Sequence, residues 1–168
     1  MTMSPNNIIL MGVSGCGKTS VGKKLAAGLG IPFFDGDDFH PEKNVEKMRS
    51  GRPLNDSDRR PWLENLAELL ATKKQDQGCV LACSALKQQY RKMLSAEGGE
   101  PIVVYLKGEK DLISERLRSR EGHYMPPELL DSQFNDLEEP ESAIAVSINQ
   151  PVDRIVEEII RKIELIQN

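Results

Sequence analysis

The stretch "GVSGCGKT", residues 12–19, decides the fold of this 168-residue chain. It fits G-x-x-x-x-G-K-[ST], with Gly12, Gly17, Lys18 and Thr19 in the fixed places. The whole run of Gly12, Val13, Ser14, Gly15, Cys16, Gly17, Lys18 and Thr19 reads as a phosphate-binding loop. The flanks are the ones such a loop needs. "NIILM" before it is a short apolar run, the pattern of a buried parallel strand. "SVGKKLAAGLG" after it is helical, with Val21, Leu25 and Leu29 on one face. Backbone N–H groups and the positive end of the helix then meet a polyphosphate. Lys18 is expected at the β and γ phosphates, and the Thr19 hydroxyl on Mg²⁺.

Working outward, strands and helices alternate along the chain. "IPFF" (31–34), "CVLAC" (79–83), "IVVYL" (102–106) and "AIAVSI" (143–148) read as further strands. "PEKNVEKMRS", "PWLENLAELLATKKQ" (61–75), "KQQYRKMLS", "EKDLISERLRSR", "PELLDSQFNDL" and "PVDRIVEEIIRKIELI" read as helices. Pro61 is taken to open its helix, with Ser57 or Asp58 as cap, and "GRPLNDSDRR" before it is taken as loop. The alternation predicts an α/β fold of three layers, α/β/α. About five parallel strands are joined by right-handed crossovers, with ligands at the carboxyl ends of the strands. The second strand is expected beside the first, which sets its terminal carboxylates opposite the phosphate loop.

Composition bounds the alternatives. A chain of this length is read as one domain, residues 1–168. A hydrophobic share of 39%, a charged share of 29% and a net charge of −4 suit a soluble protein and argue against a general nucleic-acid binder. Three cysteines, Cys16, Cys79 and Cys83, give neither a disulfide framework nor zinc spacing, and a reducing cytosol fits them. Cys16, in the loop, is expected to react with a bulky thiol reagent. No leader pattern and no membrane-length apolar run is found.

The candidate chemistry is phosphoryl transfer to a small hydroxyl compound. No Mg²⁺-organising Asp ends "CVLAC" or "IVVYL", and no N-K-x-D reads guanine, which counts against a hydrolytic switch or motor. The strand-end carboxylates are those of "DGDD" (35–38): Asp35 suits the metal and Asp37 the acceptor hydroxyl. Arg116 and Arg120, four apart on one helical face, suit a lid over phosphates. Arg59 and Arg60 are alternatives for a carboxylate on the acceptor. His40 and His123 lie in loops. An aromatic share of 5% argues against a stacked nucleobase as the acceptor.

The blocks "GVSGCGKTSVG", "FFDGDDFHP", "NVEKMRSGRPLNDSDRRPWL", "CSALKQQYR" and "HYMPPELLDSQFNDLEEP" stand in the order and at the spacing of the gluconokinases, which the chain resembles over nearly its whole length. The resemblance implies the shikimate-kinase-like variant of the P-loop kinase fold, with a substrate-binding helical segment near residues 38–77 and a lid near 120–140. It implies transfer of the ATP γ-phosphate to the 6-hydroxyl of D-gluconate, with ATP and Mg²⁺ as cofactors, in a cytoplasmic homodimer. Carried over by motif, residues 12–19 bind ATP and Mg²⁺, and Asp35 and Asp37 serve metal and acceptor. His40, Arg59 and Lys87 surround gluconate, and Arg116, Arg120 and His123 belong to the lid. Cys16 and Tyr124 depart from a common Ser and Phe, and touch no proposed role.

Overall fold

Ile8–Met11 forms β1, the central strand of the sheet, because its side chains have apolar partners on both sides. Successive side chains of a strand point to opposite faces. Ile8 and Leu10 therefore enter one core with Val21, Leu25, Val104 and Ile159, while Ile9 and Met11 enter the other with Trp62, Leu66, Leu81 and Leu94. All eight of these partners are buried. The computed structural model describes residues 6–97, 99–119 and 127–167.

Around β1 the described chain runs α1 (Lys18–Leu29), β2 (Phe33–Asp35), a single 3-10 turn (Gly36–Phe39), α2 (Glu42–Arg49), α3 (Asp56–Lys74), β3 (Val80–Ala82) and α4 (Gln88–Ser95). It continues with β4 (Ile102–Lys107), α5 (Lys110–Ser119), α6 (Pro127–Asp136), β5 (Ile144–Ser147) and α7 (Val152–Gln167). The five strands are parallel and ordered β2-β3-β1-β4-β5. Residues of α1, α5, α6 and α7 join the first core; α3 and α4 cover the second. The expected three layers and five strands are thus present.

Two expectations are corrected. The second strand does not lie beside the first: β3 is inserted between them, pairing Leu10 with Ala82 on one side and Asp35 with Ala82 on the other. The helix assigned to residues 61–75 begins five residues earlier, at Asp56. Its cap is Asn55, whose side chain accepts from Asp58 N while Asp58 Oδ2 accepts from Asn55 N, at 2.8 and 2.9 Å. This reciprocal box satisfies two otherwise orphaned donors and outweighs the turn chemistry of the preceding residues. Pro61 lies inside the helix, where it leaves one carbonyl of the first turns without a helical donor.

Candidate active site

The phosphate loop leaves the carboxyl end of β1 and enters α1 at Gly17. That residue has φ 97° and caps the helix with no side-chain bond, a backbone state that favours glycine. Lys18 arches back over the loop, its Nζ donating to Gly12 O at 2.8 Å and Val13 O at 3.1 Å. Its ammonium is thereby held at the loop rather than loose in solvent. Ser14 is tied from outside: its N–H donates to Gln133 Oε1 at 2.7 Å, and its Oγ accepts from Gln133 Nε2 at 2.9 Å. Cys16 is buried, 1% exposed, so the expected reaction with a bulky reagent is not favoured by its position; its backbone belongs to the loop and its sulfur to the core.

Although β3 separates β2 from β1, the start of α1 reaches across it. Thr19 Oγ1 donates to Asp35 Oδ2 at 3.1 Å, and the other Asp35 oxygen accepts from Asp37 N at 3.0 Å. Asp35 is thus the cap of the 3-10 turn and the neighbour of the loop at once. The turn presses against β3 because Gly36 has no side chain: a Cβ there would stand 2.7 Å from Ala82 O. Solvent reaches the Asp37 side chain, but protein crowds its carboxyl group. Burial, then the charge of Asp35, raise its pKa above the ordinary carboxylate value, with Lys18 opposing.

The residues expected on the acceptor side gather around the starts of α2, α3 and α4. His40 stacks on Trp62, 4.0 Å between ring centroids and 15° between planes. Trp62 is itself fixed by donating from Nε1 to Gly36 O at 2.7 Å. Buried Asn44 donates to Asp58 O at 2.9 Å and faces His40 Nδ1 at 3.3 Å, which leaves Nε2 as the ring's N–H. Desolvation and then Arg59 lower the His40 pKa to about 4, so the ring is neutral near pH 7.

Of the two alternatives for a carboxylate, Arg59 turns inward and Arg60 is exposed. Arg59 Nη1 donates to Tyr90 Oη at 2.8 Å, and Nη2 lies 3.5 Å from Asp136 Oδ2. The Tyr90 hydroxyl in turn donates to Asp56, which also accepts from Lys87 Nζ at 3.0 Å. The Tyr90 bond and then the Lys87 bond pull the Asp56 pKa down to about 2. Lys87, Asp56, Tyr90, Arg59 and Asp136 therefore form one continuous network, in that order. Arg116, expected over phosphates, donates from Nη2 to Ile148 O at 2.7 Å, which ties α5 to the loop after β5. Arg120 and His123 lie outside the described residues.

The sequence reading missed Asn44, Asp56, Tyr90, Gln133 and Asp136. Asn55 and Asp58 at capping-box spacing could have located Asp56 in a helical first turn. Tyr90 stands three residues after Lys87, one helical turn away. Nothing local marks Gln133, whose partner is 119 residues distant.

A parallel sheet in this order, with a phosphate loop at its central strand and carboxylates facing the loop, is the architecture of a P-loop phosphotransferase. A sequence model described as "Shikimate kinase" matches residues 14–164. The chain is 45% identical over 172 residues to a "Probable gluconokinase" of Xenopus tropicalis, covering 90% of each chain. It is 41% identical over 161 residues to the thermoresistant gluconokinase of Escherichia coli (strain K12), covering 93% of this chain and 92% of that one. The crystal structure of a gluconokinase from Sinorhizobium meliloti 1021 matches with a TM-score of 0.89 at 41% identity, covering 98% of this chain and 94% of that one. The chain belongs to the gluconokinases, within the shikimate kinase family. A shikimate kinase from Aquifex aeolicus, 21% identical with a TM-score of 0.62 over 94% of this chain and 96% of that one, shares the fold.

Proposed function

We propose that this kinase transfers the γ-phosphate of ATP to the 6-hydroxyl of D-gluconate, giving 6-phospho-D-gluconate and ADP in gluconate catabolism. One observation carries the direction of transfer: the Thr19–Asp35 bond at 3.1 Å brings a strand-end carboxylate to the phosphate loop, with Asp37 two residues further on. β3 is followed by Cys83 and Ser84, not by an Asp that would organise a hydrolytic site. The phosphate thus has a carboxylate-flanked acceptor position beside it.

The loop residues 12–19 hold the triphosphate, and Lys18 neutralises charge on the β and γ phosphates. Asp37 orients the acceptor hydroxyl and takes its proton as the acceptor oxygen bonds to the γ phosphorus and the bridging P–O bond to ADP breaks. Burial and the neighbouring Asp35 charge raise the Asp37 pKa, which makes its carboxylate a better proton acceptor than an ordinary one. Arg59 and Lys87 supply cations for the gluconate carboxylate, and neutral His40 offers its Nε2–H to a hydroxyl.

Among the described residues no three His, Cys, Asp or Glu side chains converge into a ready-made metal cage. Mg²⁺ needs none, because it keeps waters and phosphate oxygens and takes one or two protein ligands. The hard oxygens of Thr19 and Asp35 fit that set, and bound Mg²⁺ would neutralise charge on the transferring group. The reading also includes a substrate-binding segment over residues 38–77, and a lid over 120–140 with Arg116, Arg120 and His123. It further includes a cytoplasmic setting and a homodimer, all carried by family likeness. No helix of the described residues is long and apolar enough to cross a membrane.

A coupled ADP-release assay with a panel of sugar acids tests the reading. Turnover that requires gluconate and needs Mg²⁺ supports it. ATP hydrolysis at the same rate without any sugar acid overturns it, and sedimentation of the same sample reports the oligomeric state.

A further inference from the structure

Helix α6 carries two polar contacts, three residues apart and hence on one side of the helix, that reach different halves of the site. Gln133 grips Ser14 with both ends of its amide, at 2.7 and 2.9 Å. Asp136 stands 3.5 Å from Arg59. Ser14 belongs to the phosphate loop and Arg59 to the acceptor-side network. We propose that Gln133 and Asp136 are positioning residues that make α6 a strut between the donor and acceptor subsites, Gln133 fixing the phosphate loop at Ser14 and Asp136 fixing Arg59.

The loop needs such an outside hold. Three glycines, Gly12, Gly15 and Gly17, have φ of 152°, 86° and 97° within six residues, and glycine gives the backbone little stiffness of its own. Its other ties are local or come from the sheet: Lys18 onto Gly12 O and Val13 O, and Gly12 N onto Ser84 O at 3.3 Å. Leu117 and Ile113 of α5 pack against Gly15, and among the described residues Gln133 is the hydrogen-bonded side-chain tie from the helical layer. The strut lies inside the segment 120–140 proposed as a lid and is an anchored part of it. Leu129 and Leu130 are 7% and 4% exposed, and Asp131 pairs with Lys110 of α5. Phosphoryl transfer depends chiefly on placing donor and acceptor correctly, so a small shift of either subsite costs rate.

The inference rests on the proposed reading of the two subsites, and binding of Mg·ADP and of gluconate to the parent protein tests that reading by itself. The test of the strut uses Gln133→Met, which keeps the volume and helix preference of the side chain, together with Asp136→Asn. Calorimetric affinities and steady-state kinetics are measured for each. Gln133→Met is expected to weaken Mg·ADP roughly threefold to tenfold and to lower kcat, with gluconate affinity within about twofold. Asp136→Asn is expected to act the other way round, on gluconate and not on Mg·ADP. Amide exchange at Ser14 should quicken in Gln133→Met and slow again in Gln133→Glu, which keeps an acceptor for that N–H. Parental Mg·ADP affinity and kcat in Gln133→Met would overturn the inference. So would equal weakening of both ligands by both variants, the mark of general loosening.

Discussion

Thr19 Oγ1 donates to Asp35 Oδ2 across 3.1 Å, joining the first turn of α1 to the end of a strand that is two places away from β1. The bond makes Asp35 part of the phosphate loop's surroundings. Asp37 is held to Asp35 through its own N–H, and its carboxylate takes no hydrogen bond or ion pair among the described residues. The two acidic residues should therefore fail differently. Asp35→Asn is expected to raise the Mg²⁺ concentration needed for half-maximal rate. Asp37→Asn is expected to cut gluconate phosphorylation by about 10²–10⁴-fold with Mg·ATP affinity within a few-fold. Titrations of Mg²⁺ and ATP on both variants check this, and an exchanged pattern would reverse the assignment.

The acid limb of the rate profile should move with the same pair. Asp37 must be ionised to take a proton, and its pKa is raised by burial first and by Asp35 second. Removing the Asp35 charge lowers the Asp37 pKa, so the acid limb of kcat for Asp35→Asn, measured at saturating Mg²⁺, is expected at lower pH than in the parent. A limb that stays in place would assign the titration to another group.

Lys18 bonds two loop carbonyls and stands where the β and γ phosphates are proposed to lie. Lys18→Met should lower kcat/KM by an amount equivalent to about 3 kcal/mol or more, the scale of one electrostatic donor removed from a transition state. Circular dichroism should show the helices intact. Near-parental turnover would remove the phosphate-loop reading.

His40 gives the fold an acid sensitivity. Its folded pKa, about 4, lies below the ordinary 6.5, so between those values the unfolded chain binds a proton that the folded chain does not. Stability contributed by neutral His40 is complete above about pH 6.5 and is lost progressively as pH falls toward 4. His40→Gln loses the stack on Trp62 and is expected to melt lower at pH 7. Its Tm should nevertheless fall less steeply than the parent's between pH 6.5 and 4.5. Parallel curves would show that the ring is not held neutral.

Tyr90 is 3% exposed and its hydroxyl joins Arg59 to Asp56. Tyr90→Phe removes that junction while keeping the ring. A cost of about 1 to 3 kcal/mol in stability is expected, with a raised KM for gluconate and an unchanged KM for ATP. Denaturant titration and substrate kinetics measure the two effects. An unchanged gluconate KM would make the network structural.

Local signals carried much of this architecture. The phosphate loop, its strand and its helix are contiguous, and β1, β3 and β4 are apolar runs of the kind a sheet covered on both faces accommodates. The strand order was not legible, because apolar runs do not state which of them pairs with which; β3 enters between β1 and β2 through contacts far apart in sequence. The start of α3 was misplaced because Pro61 resembles a helix opener, whereas Asn55 and Asp58 hold the actual one. The burial of Cys16 depends on where the loop turns its side chains, which the motif leaves open. Arg59 separates from Arg60 only once α3 is extended back past both, so that one faces the cleft and the other the solvent.

The inserted strand also sets an order on biosynthesis. β1 and β2 emerge first from the ribosome, yet they never pair with each other; both wait for β3, and β1 also waits for β4. Until Val80–Ala82 has been made, the nascent chain holds two apolar strands with unpaired edges and no sheet to join. Closing such distant pairs is slow, and open edges are where chains associate wrongly. A pause in translation before residue 80 has emerged would therefore prolong an aggregation-prone stage, whereas one after residue 107 has emerged would let the three central strands assemble.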